Sequence, residues 1–297
     1  MERTIEYTIE ESFDNFTIRD FLLHQGFSSQ NLISLKKIPA SILLNGSWAY
    51  VNVRLKAGDH LCIQVVENES SQIEPISCKL DIVYEDEDLL IINKPWGMPT
   101  IPSVYHHQDS LANGVCAYYA SQNQSFIYRP VNRLDKNTSG LVLIAKHMVS
   151  ASMLAKAAAA GNIRKSYTAI ATGILPSEGT IDAPIARCGG SLITRCVDFE
   201  QGDRAVTHYK VCAQKEKYAL VSIHLETGRT HQIRVHFSYM GHPLAGDELY
   251  GGNCSHMNRH ALHAGSMALI QPLTGKPISC QIPLPEDMIS FWENQSS

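Results

Sequence analysis

The residues whose types and spacing could do chemistry are concentrated between Val131 and Lys146, in the string Val-Asn-Arg-Leu-Asp-Lys-Asn-Thr-Ser-Gly-Leu-Val-Leu-Ile-Ala-Lys. Asp135 is the only acid from Val131 to Lys165, a span that also holds Arg133, Lys136, Lys146, Lys156, Arg164 and Lys165. A carboxylate among cations stays ionised, and it can serve as a nucleophile or electrostatic stabiliser on a polyanionic substrate. Taken alone, an Arg-x-Asp is more often a turn aspartate in a structural ion pair. The flanking residues argue for something more. Asn137, Thr138, Ser139 and Gly140 turn the chain and bond back to their own backbone. The apolar run Leu141–Ala145 reads as a buried strand, and a loop held by a core strand is a usual place for a reactive group.

Asn132-Arg133-Leu134-Asp135-x-x-Thr138-Ser139-Gly140, with the apolar run and Lys146 behind it, closely resembles the catalytic motif of the RluA family of pseudouridine synthases. Two further blocks follow in the family's order. Arg164-Lys165-Ser166-Tyr167-Thr168-Ala169 is similar to the block with the active-site tyrosine, and Gly228-Arg229-Thr230-His231-Gln232-Ile233-Arg234-Val235-His236 to the block whose last arginine pairs with the aspartate. The resemblance therefore implies Asp135, Tyr167 and Arg234 as catalytic residues and Arg133, Lys165, Arg229 and Leu262 as substrate-binding residues. One departure is visible: the family's motif often begins with His, where this chain has Asn132.

The implied reaction isomerises uridine within RNA by breaking the bond from base to ribose, turning the base and rejoining it through carbon. The target must first leave the stack, at a cost of a few kcal/mol. Arg133 is suited to fill the vacated space, and an arginine at position 234 can aim Asp135 through a two-bond fork that lysine lacks. Tyr167 offers a ring for the flipped base to stack on, and a hydroxyl that could help to remove the proton from carbon 5. Leu262 supplies an apolar contact. His231, Gln232 and His236 are expected to shape hydrogen bonds rather than transfer protons, and Gly246-Asp247 to form a structural turn. Asp135 could attack the ribose, abstract a ribose proton or add to the base; residue types do not choose among these. No step requires a metal, nucleotide or redox cofactor, and the chain carries no Walker loop and no Gly-x-Gly-x-x-Gly after a strand.

The elements that must position these groups divide the chain into two expected units. Residues 1 to about 12 read as an edge strand or loose terminus. Short helices follow near Phe16–Leu22 and, capped by Ser28 or Ser29, through Leu35. Ile42–Leu44 enters an Asn-Gly turn, and Val51-x-Val53-x-Leu55 and Leu61-x-Ile63-x-Val65 alternate like strands. Residues 1–66 resemble an S-four-like RNA-binding module, a small α/β unit that normally contacts RNA through a basic helix; here Gln30 and Asn31 stand where basic residues would help. Residues 67–78 are polar, contain Pro75 and read as a linker. Residues 79–297 are expected to form an α+β catalytic domain around a largely antiparallel mixed sheet, in which Ala219–Leu225 is a strand and Thr230 caps a helix turning Ile233 and Phe237 inward.

Composition sets the outer limits. At 297 residues, 44% hydrophobic and 18% charged, the chain has a globular composition and room for two domains. Eight scattered cysteines without a Cys-x-x-Cys pair read as reduced thiols, and the spacing of Cys254, His256, His260 and His263 matches no common zinc pattern. No apolar run approaches the ~20 residues of a membrane span, and the N-terminus lacks a secretory pattern, so a cytoplasmic monomer is expected. The net charge of -4 argues mildly against RNA, yet acids gather in segments such as Glu85–Asp88 and leave the central block positive. Two other readings are an RNA-binding or ribosome-assembly factor without catalysis, against which intact Asp135, Tyr167 and Arg234 speak, and a hydrolase that would release free base.

Overall fold

A computed structural model describes residues 1–103, 105–191 and 193–296. The continuous apolar runs at the centre of the chain become strands covered on both faces, which is why they do not alternate with polar residues. Strands Leu89–Lys94 and Ser139–Ala145 pair antiparallel, with alternate side chains entering different layers. Leu90, Ile92, Val142 and Ile144 face the helix Leu111–Ser121, whereas Leu89, Ile91, Leu141 and Leu143 share a cluster with Leu154 of the helix Met148–Ala159. Each fully buried aliphatic side chain contributes about 1.5–3 kcal/mol.

Ten strands form one mixed sheet. Its main path runs Glu178–Asp182, Val206–Gln214, Tyr218–Leu225, Arg164–Thr172, Leu262–Ile270, Ser139–Ala145, Leu89–Lys94 and Ile82–Glu85. Pro277–Gln281 pairs with Leu262–Ile270, and Arg129–Pro130 with Ser139–Ala145. Among the described residues the one parallel pairing in this sheet joins Leu262–Ile270 to Ser139–Ala145, so the expected α+β class with a largely antiparallel mixed sheet is what the chain adopts.

That parallel seam explains Gly140. Its φ is +120°, and a Cβ there would lie 2.4 Å from the Ala264 carbonyl oxygen and 2.6 Å from the Ala264 nitrogen. Only glycine lets the Asp135 loop run directly into the centre of the sheet.

The N-terminal residues form a four-stranded sheet in which Glu2–Thr8 is an edge strand, paired along its length with His60–Val66. Helices Ile18–His24 and Ser29–Lys36 cover it, the second capped by Ser28 with a reciprocal bond from Asn31. The expected strand at Val51–Leu55 is not formed: the segment is a turn with a single bridge from Arg54 to Thr17, and its apolar residues fill the module's core from an irregular backbone. Residues 67–78 contain no helix or strand, yet Ser71, Glu74 and Ile76 hydrogen-bond to Phe126, Tyr128 and Asn113, which straps the segment along the larger unit. The small module is also docked: Val149 and Met153 of Met148–Ala159 belong to its hydrophobic cluster.

Candidate active site

The Asp135 loop leaves Arg129–Pro130, enters the strand Ser139–Ala145, and is tied at almost every residue. Asn132 clamps its own strand, donating to Leu141 O at 3.2 Å and accepting from Leu143 N at 2.8 Å. The side chain in the place of the family's His therefore bonds to backbone. Leu134 exchanges two hydrogen bonds with the Thr100 hydroxyl. Lys94, wholly buried, donates to Lys136 O at 3.2 Å as well as to the carbonyls of Pro95 and Met98; burial pulls its ammonium down to about 7, which the Asp135 charge opposes. Arg259 reaches Asn137 O at 3.2 Å and is gripped by Asp287 of the helix Glu286–Glu293. Thr138 meets His260 Nε2 at 2.7 Å and Ser139 meets His263 Nδ1 at 2.9 Å. Arg133 is exposed and forms no ion pair among the described residues, which leaves its guanidinium available to a ligand.

Arg234 approaches from the helix Gln232–Tyr239. The expected Thr230 cap is absent: His231 holds the N-cap position with φ +59°, and no side chain caps it. Gln232 does the equivalent work, accepting from Arg229 N and the Thr227 hydroxyl while donating to Val206 O. This sharp entry turns Ile233 and Phe237 into the core, as expected, and buries Arg234 as well.

The arginine fork differs from the expected two-bond pairing with Asp135. Arg234 gives Asp135 Oδ2 one bond of 3.1 Å from Nη1; its Nε and Nη2 form the fork, each 2.8 Å from an oxygen of the buried Asp247. Gly246-Asp247 is thus more than a turn. Gly246 has φ +73°, and a Cβ there would lie 2.0 Å from Arg259 O, so glycine is what lets Asp247 reach the arginine. Tyr250 supports the other side, its ring centroid 4.9 Å from the Arg234 guanidinium carbon and its hydroxyl 2.8 Å from His231 Nδ1. Burial would lower the Arg234 pKa, but Asp247 and Asp135 outweigh it and hold the group charged. His231 Nε2 stands 3.7 Å from Asp135 Oδ2, with its pKa lowered by burial, which favours a neutral ring.

All seven residues singled out from the sequence line two adjoining pockets. The outer cleft, about 660 Å³, carries Arg133, Lys136, Lys165 and Arg229, with Asp135 the only acid on its wall. The inner pocket, about 70 Å³, lies among Asp135, Tyr167, Arg234 and Leu262. Tyr167 and Leu262 reach it from neighbouring central strands, and Arg229 is held near the rim by Asp203, 3.2 Å away. Burial, with the Asp135 charge, pushes the Tyr167 phenol up to about 12. The arrangement presents one fixed carboxylate to a small half-apolar pocket, beneath a cationic cleft large enough for several nucleotide groups.

Sequence reasoning missed Lys94, Tyr250 and Arg259, read Asp247 only as part of a turn, and treated His260 and His263 only as a weak metal pattern. Among the described residues no three His, Cys, Asp or Glu side chains are placed to hold a metal; these two imidazoles support the loop instead. Burial lowers the pKa of His260 to about 2 and of His263 to about 4. Below the unfolded value of ~6.5 the unfolded chain binds protons that the folded chain refuses, so stability falls as pH drops from 6.5 toward 4. Between pH 7 and pH 5 the two groups together should remove about 4 kcal/mol. Urea unfolding at both pH values measures this, and His260→Gln should reduce the difference by about 2 kcal/mol. Equal stability at the two values would mean that the imidazoles take up protons within the fold.

Comparison with known proteins agrees with this geometry. Residues 88–239 match the RNA pseudouridylate synthase family. The chain is 40% identical to the Bacillus subtilis (strain 168) RNA pseudouridine synthase YjbO over 276 residues, 92% of this chain and 96% of that protein. It is 34% identical to the Escherichia coli (strain K12) ribosomal large subunit pseudouridine synthase D over 254 residues, 81% of this chain and 78% of that one. The solved human RNA pseudouridylate synthase domain containing 1 superposes with a TM-score of 0.58 at 27% identity, covering 72% of this chain and 86% of that chain. The family match spans the stretch that carries Asp135, and the chain belongs to the RNA pseudouridylate synthases, as an RNA pseudouridine synthase of the RluA family.

Proposed function

We propose that this enzyme isomerises uridine in structured ribosomal RNA, rather than transfer RNA, with Asp135 as nucleophile on a nucleotide swung out of its stack. The observation that carries the reading is the place of the Asp135 carboxylate, at the junction of the inner pocket and the cationic cleft and 3.1 Å from Arg234. The ribosomal preference rests on the Escherichia coli relative, whose name assigns it to the large ribosomal subunit. In this reading Arg133 fills the space that the base vacates, and Lys165 and Arg229 hold phosphates. Leu262 and the Tyr167 ring sandwich the uracil. Residues 1–66 act as an RNA-binding module joined through 67–78 to the catalytic unit 79–297, and the enzyme works as a cytoplasmic monomer.

A phenol pushed up to about 12 is neutral at physiological pH, so Tyr167 can accept the carbon-5 proton only while passing on its own. Asp135, whose charge the phenol senses, is the acceptor at hand. Tyr167→Phe should therefore slow turnover on the order of 10²-fold while RNA binding persists. An unchanged rate would confine Tyr167 to stacking.

Tritium release from carbon-5-labelled ribosomal and transfer RNA transcripts tests the proposal directly. Release from ribosomal RNA is expected. Release of free uracil would identify a hydrolase, and RNA binding without any release would favour a non-catalytic assembly factor.

A further inference from the structure

The surface expected to bind RNA in the N-terminal module is partly occupied. Asn31, on the helix Ser29–Lys36, is buried: its Nδ2 donates to Met148 O at 3.1 Å and its Oδ1 accepts from the Ser152 hydroxyl at 2.6 Å. Lys156 reinforces the joint by donating to Gly26 O and Phe27 O. This end of the helix faces the catalytic unit, so it holds the module in place and cannot also lie on RNA.

A different face of the module is open. The hairpin after Asn45-Gly46 ends in Trp48 and Tyr50, 58% and 66% exposed, which makes them two of the more exposed aromatic side chains of the protein. Their ring centroids are 5.2 Å apart with planes tilted by 41°. Beside them lies a cleft of about 410 Å³, whose wall includes Lys36, Ser41 and Asn52. Burial of two large rings would stabilise the fold, so their exposure calls for a partner. Charge says which kind. From Phe21 to Gly58 the chain contains no acid, whereas it contains Lys36, Lys37, Arg54 and Lys56. Among the described residues Lys36 and Lys37 form no ion pair and the Arg54 side chain bonds only to Asn15, whereas Asp59 accepts from the Asn45 side chain and the Lys56 backbone N–H. Paired aromatic rings lining a cleft that has Lys36 and no acid on its wall meet the two needs of a single strand of nucleic acid, a stacking face and phosphate neutralisation.

We propose that Trp48 and Tyr50 form a stacking platform for unpaired bases of the RNA substrate, away from the uridine pocket, with Lys36 and Lys37 holding the adjoining phosphates. The inference rests on the reading of the chain as an RNA-modifying enzyme and names where its N-terminal module touches that RNA. Because the module shares a hydrophobic cluster with Met148–Ala159, a strand bound there is held at a fixed place relative to the Asp135 cleft.

The test uses the full chain and a fluorescein-labelled, uridine-rich single-stranded RNA, with the same strand annealed to its complement as control. Trp48→Ala with Tyr50→Ala should weaken single-strand binding by about thirtyfold or more, since each base lost from an aromatic face costs about fivefold or more. Duplex binding should change little. Trp48→Phe with Tyr50→Phe should restore most of the affinity, because any aromatic face stacks. On a ribosomal transcript the alanine pair should raise KM about as much as it raises Kd, with kcat unchanged, and an unaltered melting temperature checks the fold. Wild-type affinity in the alanine pair would overturn the platform and assign the rings to a partner other than RNA. Equal losses on single strand and duplex, or failure of the phenylalanine pair to rescue, would also overturn it. A wild-type protein that binds the single strand but releases no tritium would sink the isomerase reading, while Kd would still decide the platform.

Discussion

Replacing Asp135 by asparagine should reduce tritium release from labelled RNA to background, a loss on the order of 10⁴-fold or more, while RNA affinity and melting temperature stay close to wild type. The size of the effect follows from the inner pocket, where Asp135 supplies the only carboxylate on the wall. Asparagine has the same shape but neither the negative charge nor the nucleophilicity, and no neighbouring acid can take over. The mild effect on the fold follows from the same geometry. The Asp135 side chain is 27% exposed, and its ion pair with Arg234 is one bond of 3.1 Å, so its removal costs about 1 kcal/mol or less. Backbone and side-chain bonds from Thr100, Lys94, Arg259 and His260 hold the loop without the carboxylate. Substantial turnover by Asp135→Asn would refute the proposed mechanism, and loss of binding with turnover would show that the charge positions the RNA instead.

Much of this site was legible in the sequence, and the part that was not has a common physical character. Asp135, Tyr167 and Arg234 stand in strings whose local chemistry announces them: a lone acid among cations, a tyrosine entering a strand, an arginine six residues after a turn glycine. The central buried strand was legible because Leu141–Ala145 is an uninterrupted apolar run, which a surface strand would not need. Val51–Leu55 misled because alternating valine and leucine can fill a core from a turn as well as from a strand. The helix start at Thr230 misled because the chain enters through His231 in the left-handed region, with Gln232 in place of the cap. The roles of Asp247, Arg259 and Lys94 were invisible for another reason. Each supports the site through partners far away in sequence, Arg259 through Asn137 and Asp287, and Lys94 through the carbonyl of Lys136. No spacing rule reports a pair that only the tertiary fold creates.

Asp247 carries the second large expectation. Its two oxygens take both forks of Arg234 at 2.8 Å, and the pair is nearly sealed from water, with side-chain exposures of 8% and 1%. Asp247→Ala leaves the guanidinium buried with one remaining carboxylate, the half-exposed Asp135, and should cost about 3–5 kcal/mol of stability. The arginine would then be free to turn toward Asp135 or the solvent, and a displacement of 1 Å at the reacting carboxylate is worth about 10²-fold in rate. Turnover should therefore fall by that order in the protein that remains folded, with KM for RNA little changed because Asp247 does not line either pocket. Arg234→Lys should resemble Asp247→Ala in rate, since a point charge cannot be held by two oxygens and also point a third donor at Asp135. A full rate in folded Asp247→Ala would show that the single 3.1 Å contact is enough to aim the nucleophile, and the fork would then be a structural clamp and nothing more.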